Sequence, residues 1–156
     1  DKDNEEILKL FISRYRQKIF ALVFYLIGND SNKAYEITAT CFAHAFRKTP
    51  YFDNESAFLI KLLQTVIEKT QDAKIMPTFE EPAFIDIPPV KQKMLLILRD
   101  GLQALSFDEK VLLLLRDQLH LSYKIISSVL GISQGQVLTQ ITKARVDVRK
   151  KVEEAL

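Results

Sequence analysis

The chain has 156 residues, a length that suits one compact domain or two small ones and excludes a barrel enzyme or a full doubly wound cofactor domain. Hydrophobic residues make up 47% and charged residues 27%, proportions that predict a folded core rather than a disordered chain. The 22 basic and 20 acidic residues leave a net charge of +2, so any nucleic-acid-binding surface must be local.

Three amphipathic helices are predicted in the first half of the chain. The first covers about residues 4–27, and the second covers about 32–47 behind turn and cap residues at 29–31. The third runs to about residue 73, with Asp53 or Asn54 as its N-cap. Apolar residues recur at helical spacing in all three, which predicts that their apolar faces form a common core.

A linker is predicted at residues 77–90, because this stretch holds four of the five prolines and proline cannot continue a helix. It has three acidic residues and no basic one. Its Phe79, Phe84, Ile85 and Ile87 are too apolar for a freely solvated tether, so we expect it to pack against a domain. That packing could be a plain linker contact or a functional contact segment.

Four more helices are predicted after the linker. They cover about residues 91–105, 107–119, 123–130 and a long stretch from Ser133 to about residue 154. Ser106 and Glu109 fit a capping box, Ser122 is the cap of the third of these helices, and Ser133 with Gln136 repeats the capping pattern. We therefore predict an all-α fold with a three-helix domain at 1–76 and a four-helix domain at 91–156.

The two last helices fit a helix-turn-helix. This motif needs a small residue in its first helix, a glycine that adopts a left-handed turn, and apolar residues that lock the helices together. Ser127 and Gly131 supply the first two features. The locking residues are Ile126, Leu130, Ile132, Val137 and Ile141.

The long last helix is the predicted DNA-reading element. Glutamine can read adenine in the major groove, threonine can meet base edges or phosphates, and lysine and arginine bind the phosphate backbone. Residues 136–151 hold five basic side chains against one acidic side chain, a local charge of +4. These basic residues could instead only complement the helix dipole. The candidate DNA contacts are Ser122, Tyr123, Ser133, Gln134, Gln136, Thr139, Gln140, Thr142, Lys143 and Arg145.

Other classes of site find little support in the composition. Cys41 is the single cysteine, so a disulfide framework is excluded and a reducing compartment is expected. Cys41 and His44 lie three apart on one helix, but two ligands do not make a metal site. No catalytic constellation can be assembled, and the longest apolar run has nine residues where a membrane span needs about 20. We expect a cytoplasmic protein that is not an enzyme, lacks a cofactor and a metal, and does not insert into a membrane.

The second half of the chain resembles region 4 of bacterial sigma factors of the extracytoplasmic function type. The elements that carry the resemblance are LSY at 121–123, LGIS at 130–133, GQV at 135–137 and KAR at 143–145. In that family this domain binds the −35 promoter element. The resemblance therefore implies promoter DNA as a partner of the helix-turn-helix.

The first half resembles region 2 of the same family. FISRYRQKIFALVFYLIGND at 11–30 is similar to its opening helix, and AYEITATCF at 34–42 to its next helix. The resemblance implies that core RNA polymerase is bound at Tyr35, Glu36, Ala39 and Thr40, and that an inhibitory anti-sigma factor is a further partner.

Two functions follow from the resemblance. In the first, the chain is a sigma factor that binds core polymerase and directs promoter-specific initiation. In the second, it is a sigma-like DNA-binding regulator or interaction module without polymerase binding or promoter melting. The second is favoured by Tyr35, Ala39 and Thr40, where the family usually has Glu, Gln and Glu, and by Thr65 and Lys69, where it commonly has Asn and Asp.

Overall fold

The computed structural model describes residues 2–28, 30–48, 54–73 and 88–155, and these residues form helices without a strand. The helices are α1 (Lys2–Leu26), α2 (Ser31–Lys48), α3 (Glu55–Asp72), α4 (Pro89–Gln103), α5 (Phe107–Leu113), α6 (Tyr123–Leu130) and α7 (Gln134–Ala155). A π-helical turn, Leu114–Gln118, directly follows α5. The predicted all-α fold is confirmed.

The first three helices pack on one another around their apolar faces. α1 contacts both α2 and α3, and α2 also contacts α3. Ile19, Leu22 and Leu62 are completely buried, and the rings of Phe11 and Phe58 stack with their centroids 4.8 Å apart. The helical periodicity therefore identified the inward faces of these helices correctly.

Local polar signals set the starts of α2 and α3. Asp30 caps α2, because its Oδ1 accepts the amide of Lys33 at 3.0 Å. Asn54 caps α3 by accepting the amides of Ser56 and Ala57 at 2.9 and 3.2 Å. Of the two predicted candidates, Asp53 and Asn54, it is Asn54 that is the N-cap of α3.

The fourth helix begins two residues earlier than the predicted residue 91. Pro88 is its N-cap and Pro89 is its first residue. Proline is tolerated at that position because its missing amide would have had no helical partner, and its φ already suits a helix. Pro89 and Val90 are therefore helical, while residues 77–87 of the predicted linker lie outside the described residues.

The predicted helix at 107–119 is only partly regular. Its start is as expected: the Ser106 hydroxyl accepts the Glu109 amide at 3.2 Å, and a capping box is complete. After Leu113 the backbone changes to a π turn, in which the Leu119 amide donates to Leu114 O at 3.0 Å. A π turn inserts one extra residue into a helical turn, and the run of leucines carries no local signal for it.

The two helical groups touch each other through α3 and α6. The Gln64 side-chain amide lies 3.4 Å from the carbonyl oxygens of Ser128 and Val129, to which it donates. On another side, α1 lies against α5 and the π turn. None of the described helices is long and apolar enough to cross a membrane.

Candidate nucleic-acid interface

The turn between α6 and α7 has the predicted geometry. Gly131 ends α6 in the left-handed conformation, with φ 69° and ψ 31°, a region that glycine occupies without steric cost. The amides of Gly131 and Ile132 donate to Ser127 O at 2.9 and 3.3 Å, and the Ser127 hydroxyl donates to Ile132 O. Ser127 therefore ties both sides of the turn together.

Apolar contacts fix the angle between the two helices. Ile126 of α6 and Val137, Ile141 and Ala144 of α7 are all completely buried. Ile126, Val137 and Ile141 are three of the five predicted locking residues, the other two, Leu130 and Ile132, are half-buried, and Ala144 was not predicted. Because these α7 positions are buried, the opposite face of α7 is turned to solvent.

The start of α7 is closed by a reciprocal pair of hydrogen bonds. The Ser133 hydroxyl accepts the Gln136 amide at 3.1 Å, and the Ser133 amide donates to Gln136 Oε1 at 2.9 Å. This is a capping box, in which each side chain satisfies the other residue's backbone. Both residues are exposed at the tip of α7.

Residues 89–148 match the family model for sigma-70, region 4. This part of the chain is a sigma-70 region 4 domain. The match indicates a sigma-factor-like DNA-binding role at the −35 element, and it covers α4, α5, α6 and most of α7. No curated protein matches the chain significantly.

In the region 4 domain, the residues at the start of α6 are held by neighbours. Ser122 caps α6 by accepting the Ile125 amide at 3.2 Å. The Tyr123 ring lies under the Arg116 guanidinium, 4.5 Å from its centroid, and the same arginine donates to Leu121 O at 2.7 Å. Arg116 therefore orients the segment that leads into the helix-turn-helix, a role that the sequence reading missed.

The remaining predicted contacts on α7 are all exposed. Gln134, Gln140 and Lys143 are exposed. The hydroxyls of Thr139 and Thr142 also lie on exposed residues, but they donate to the helix's own carbonyls at Gly135 and Leu138, over 3.0 and 2.8 Å. The donors of both threonines are thus already used.

Within the part of the chain that the structure describes, Arg145 is the predicted DNA contact that holds an ion pair with another element. Its Nη2 lies 2.6 Å from Asp117 Oδ1 in the π turn, and this hydrogen bond raises the arginine pKa further above its ordinary value. The pair joins residues 28 positions apart, so helical periodicity could not reveal it. It ties the middle of α7 to the π turn.

His120, two residues after the π turn, has a left-handed backbone conformation. His120 has a φ of 56°, the only positive φ among the described residues other than glycine. Such a conformation brings the Cβ of a non-glycine residue too close to the following carbonyl. Histidine at this position gives no signal in the sequence for such a strained conformation.

The four predicted polymerase contacts lie together on the outward side of α2. Tyr35 is 74% exposed and meets the edge of the Phe20 ring, with centroids 6.4 Å apart. Glu36 forms an i,i+3 ion pair with Lys33 at 3.7 Å, and the Thr40 hydroxyl donates to Glu36 O at 3.0 Å. Tyr35 and Ala39 also border a groove.

This groove, between α1 and α2, has a volume of about 840 Å³. Its lining is mostly apolar, and Arg16 and Arg47 add two basic side chains. The apolar lining includes Leu8, Ile12, Phe20, Tyr35, Phe42 and Phe46. This concave surface depends on how α1 and α2 pack, so the sequence carries no local signal for it.

The single cysteine is part of the core rather than of a site. Cys41 is completely buried, and burial raises the pKa of its thiol to about 12. A thiol with so high a pKa is a poor nucleophile and a poor metal ligand. The described residues contain no group of three or more potential metal ligands.

Proposed function

We propose that the chain is a sigma factor of the extracytoplasmic function type, which binds core RNA polymerase and directs promoter-specific initiation in the cytoplasm. The observation that carries this proposal is the region 4 domain at residues 89–148, with its Gly131-centred turn and exposed basic α7. In this role α7 enters the major groove of the −35 element, as the second helix of such motifs does. Phosphate contacts from its lysines and arginines hold it in register.

The N-terminal helices provide the polymerase-binding half in this proposal. Support comes from the shared outward position of Tyr35, Glu36, Ala39 and Thr40 on α2, and from the groove beside them. Apolar concave surfaces with a few charged residues at the edge suit protein partners. An anti-sigma factor is a further proposed partner, which would compete for these surfaces.

The domain division belongs to the same proposal. A helical domain at 1–76 and a second one, predicted at 91–156 but beginning with α4 at Pro89, would let the two halves bind different parts of the transcription complex through the linker between them. The contact of Gln64 with the carbonyls of Ser128 and Val129 would then have to open when polymerase and promoter are both bound.

The experiment is reconstitution with core polymerase. The purified chain is mixed with core enzyme, the complex is isolated by gel filtration, and transcription is measured from a pool of promoter fragments. We expect co-elution at micromolar concentrations and transcripts with discrete start sites that need the chain. A substitution on α2, Ala39→Arg, should reduce co-elution, whereas Ser13→Arg, at an exposed position on α1, should not. Absence of co-elution would reject the sigma-factor role.

A second candidate is a sigma-like DNA-binding regulator that works without polymerase. It is favoured by Tyr35, Ala39 and Thr40, which are exposed on α2 and lack the acidic and amide side chains that the family usually has there. A DNA mobility-shift assay titrated with salt, beside the polymerase assay, separates the two. DNA binding without co-elution supports the regulator, and absence of both leaves a protein-interaction module.

A further inference from the structure

We propose that α7 recognises thymine through its C5-methyl group, using Leu138, Thr139 and Thr142. The inference rests on the proposed function, because it requires α7 to lie in the major groove of DNA. It assigns a specificity-determining role to Leu138, which was not among the candidate DNA contacts, and a new role to the two threonines.

The position of these residues on α7 is the first observation. Val137, Ile141 and Ala144 are completely buried, so the helix turns its other side to solvent. Thr139 and Thr142 lie on that outer side, and Leu138 lies beside them with 49% of its surface exposed. An exposed leucine next to two threonines forms a patch that can contact another apolar group.

The hydrogen bonds of the threonines are the second observation. Each hydroxyl donates to the carbonyl four residues earlier, Thr139 to Gly135 over 3.0 Å and Thr142 to Leu138 over 2.8 Å. Neither hydroxyl has a proton left for an acceptor on guanine or thymine. What these side chains still offer to a base pair is an apolar methyl group, together with a hydroxyl oxygen that can only accept.

The polar side chains nearby are also engaged, which is the third observation. Gln136 Oε1 accepts the Ser133 amide, and Arg145 is paired with Asp117. Glutamine needs its whole amide to read adenine, and arginine needs a free guanidinium to read guanine. Gln136 and Arg145 are therefore less available for polar base readout than Gln140 and Lys143, which stay exposed on α7.

The chemistry of the major groove makes thymine the matching base. Among the groups that base pairs expose there, the C5-methyl of thymine is apolar, whereas the others are hydrogen-bond donors and acceptors. Burying a methyl-sized group against apolar atoms is worth about 0.8 kcal/mol, which corresponds to about a fourfold change in affinity. Two such contacts would give more than tenfold discrimination.

The test starts from a pool of random 20-base-pair duplexes selected for binding to the full chain at fixed salt. The best duplex is then resynthesised with deoxyuridine in place of individual thymidines, which removes only the methyl group. We expect thymine enrichment in the selected duplexes and a loss of about fourfold in affinity for each contacted methyl.

Protein variants separate direct contact from a change in DNA stiffness. In Leu138→Ala the thymine-to-uracil ratio of affinities should fall towards one at the affected position. Thr139→Ser and Thr142→Ser keep the hydroxyl and remove only the methyl, so each should reduce the ratio at its own position. Leu10→Ala is the matched control, because Leu10 is 54% exposed on α1, away from α7, and should leave the ratio unchanged. Circular dichroism verifies that each variant is folded.

The possible failures are distinguishable. If no duplex is enriched and none binds, the proposed DNA-binding function fails and the inference fails with it. If duplexes bind well but uracil and thymine are equivalent, the methyl inference alone is wrong. If the thymine-to-uracil ratio of affinities exceeds one in the unaltered chain and keeps the same value in Leu138→Ala and in both threonine variants, direct readout by these residues is overturned.

Discussion

The helices α2 and α7 both present predicted partner contacts to solvent, but the two surfaces differ in their chemistry. On α2, Tyr35 and Ala39 border a concave and mostly apolar groove of about 840 Å³. On α7, basic residues such as Lys143 and Arg149 accompany the exposed threonines. Each surface thus has the chemistry of a different kind of partner.

This contrast shows how one near-neutral chain can carry two recognition surfaces. Residues 1–76 have 11 basic and 10 acidic side chains, whereas residues 91–156 have 11 and 7. Attraction to a polyanion can therefore act on the C-terminal half without a strongly basic whole. The groove of the N-terminal half instead depends on helix packing, so it should be the surface more sensitive to core changes.

The largest expected effect comes from the core below the groove. Phe58 is completely buried against Phe11, so Phe58→Ala should lower the free energy of unfolding by about 3–5 kcal/mol. Urea denaturation followed by circular dichroism measures this. The exposed aromatic Tyr35 is the matched control, because Tyr35→Ala removes a ring from the surface and should cost about 0.5 kcal/mol or less. Equal losses for the two variants would contradict the assigned burial.

Alkaline pH should also affect the N-terminal half. Burial raises the pKa of Cys41 to about 12, and burial with the hydrogen bond to Glu55 raises the pKa of Tyr15 to about 12. Both groups hold their protons more tightly in the folded chain than their ordinary values of 9.0 and 10.0. Their stabilising contribution is therefore complete below about pH 9 and is lost as the pH rises towards 12.

Urea denaturation at pH 8 to 10 measures this loss, which over that range should be smaller than the effect of Phe58→Ala. The decline should be shallower in Cys41→Ala and in Tyr15→Phe, since each removes one titrating group. The reagent DTNB adds a second readout, because the buried Cys41 thiol should react only as the protein unfolds. If the decline in both variants is as steep as in the unaltered chain, groups other than Cys41 and Tyr15 cause it.

The next effect concerns the strained entry to the helix-turn-helix. His120 has a φ of 56°, so His120→Gly should relieve steric strain of about 1–2 kcal/mol, part of which is offset by the greater entropy of glycine in the unfolded chain. We expect a net gain of up to about 1 kcal/mol in the free energy of unfolding. His120→Ala is the control, since alanine keeps the Cβ and the strain. A glycine variant no more stable than the alanine variant would contradict this assignment.

Local features of the fold could be predicted from the sequence, and features that join distant residues could not. Asn54 and Gly131 act within one turn of their own position, so residue type alone indicated their roles. The pair of Asp117 and Arg145 joins residues 28 positions apart and forms only because the π turn aims the aspartate at α7. Leu138 carries no polar group that would mark it as a DNA contact in the sequence, and the packing of α7 shows that it is exposed.

The smallest expected effect distinguishes two basic residues of α7. Lys143 is exposed and forms no ion pair with any residue that the structure describes, whereas Arg145 is paired with Asp117. Affinity falls as salt concentration rises, and each phosphate contact makes the slope of log affinity against log salt concentration steeper by about 0.9. Lys143→Gln should therefore make that slope shallower by about 0.9. The double variant Arg145→Gln with Asp117→Asn keeps the net charge and should leave the slope unchanged.

Mobility-shift titrations of both variants on one duplex, over a range of salt concentrations, measure the two slopes. An equal decrease in the double variant would show that Arg145 contacts a phosphate despite its pairing with Asp117. An unchanged slope in the double variant, with a modest loss of stability of about 1 kcal/mol or less, fits a positioning role in which the pair holds α7 against the π turn. With that result, the two basic residues of α7 have different roles: Lys143 neutralises a phosphate of the DNA backbone, and Arg145 holds α7 in position.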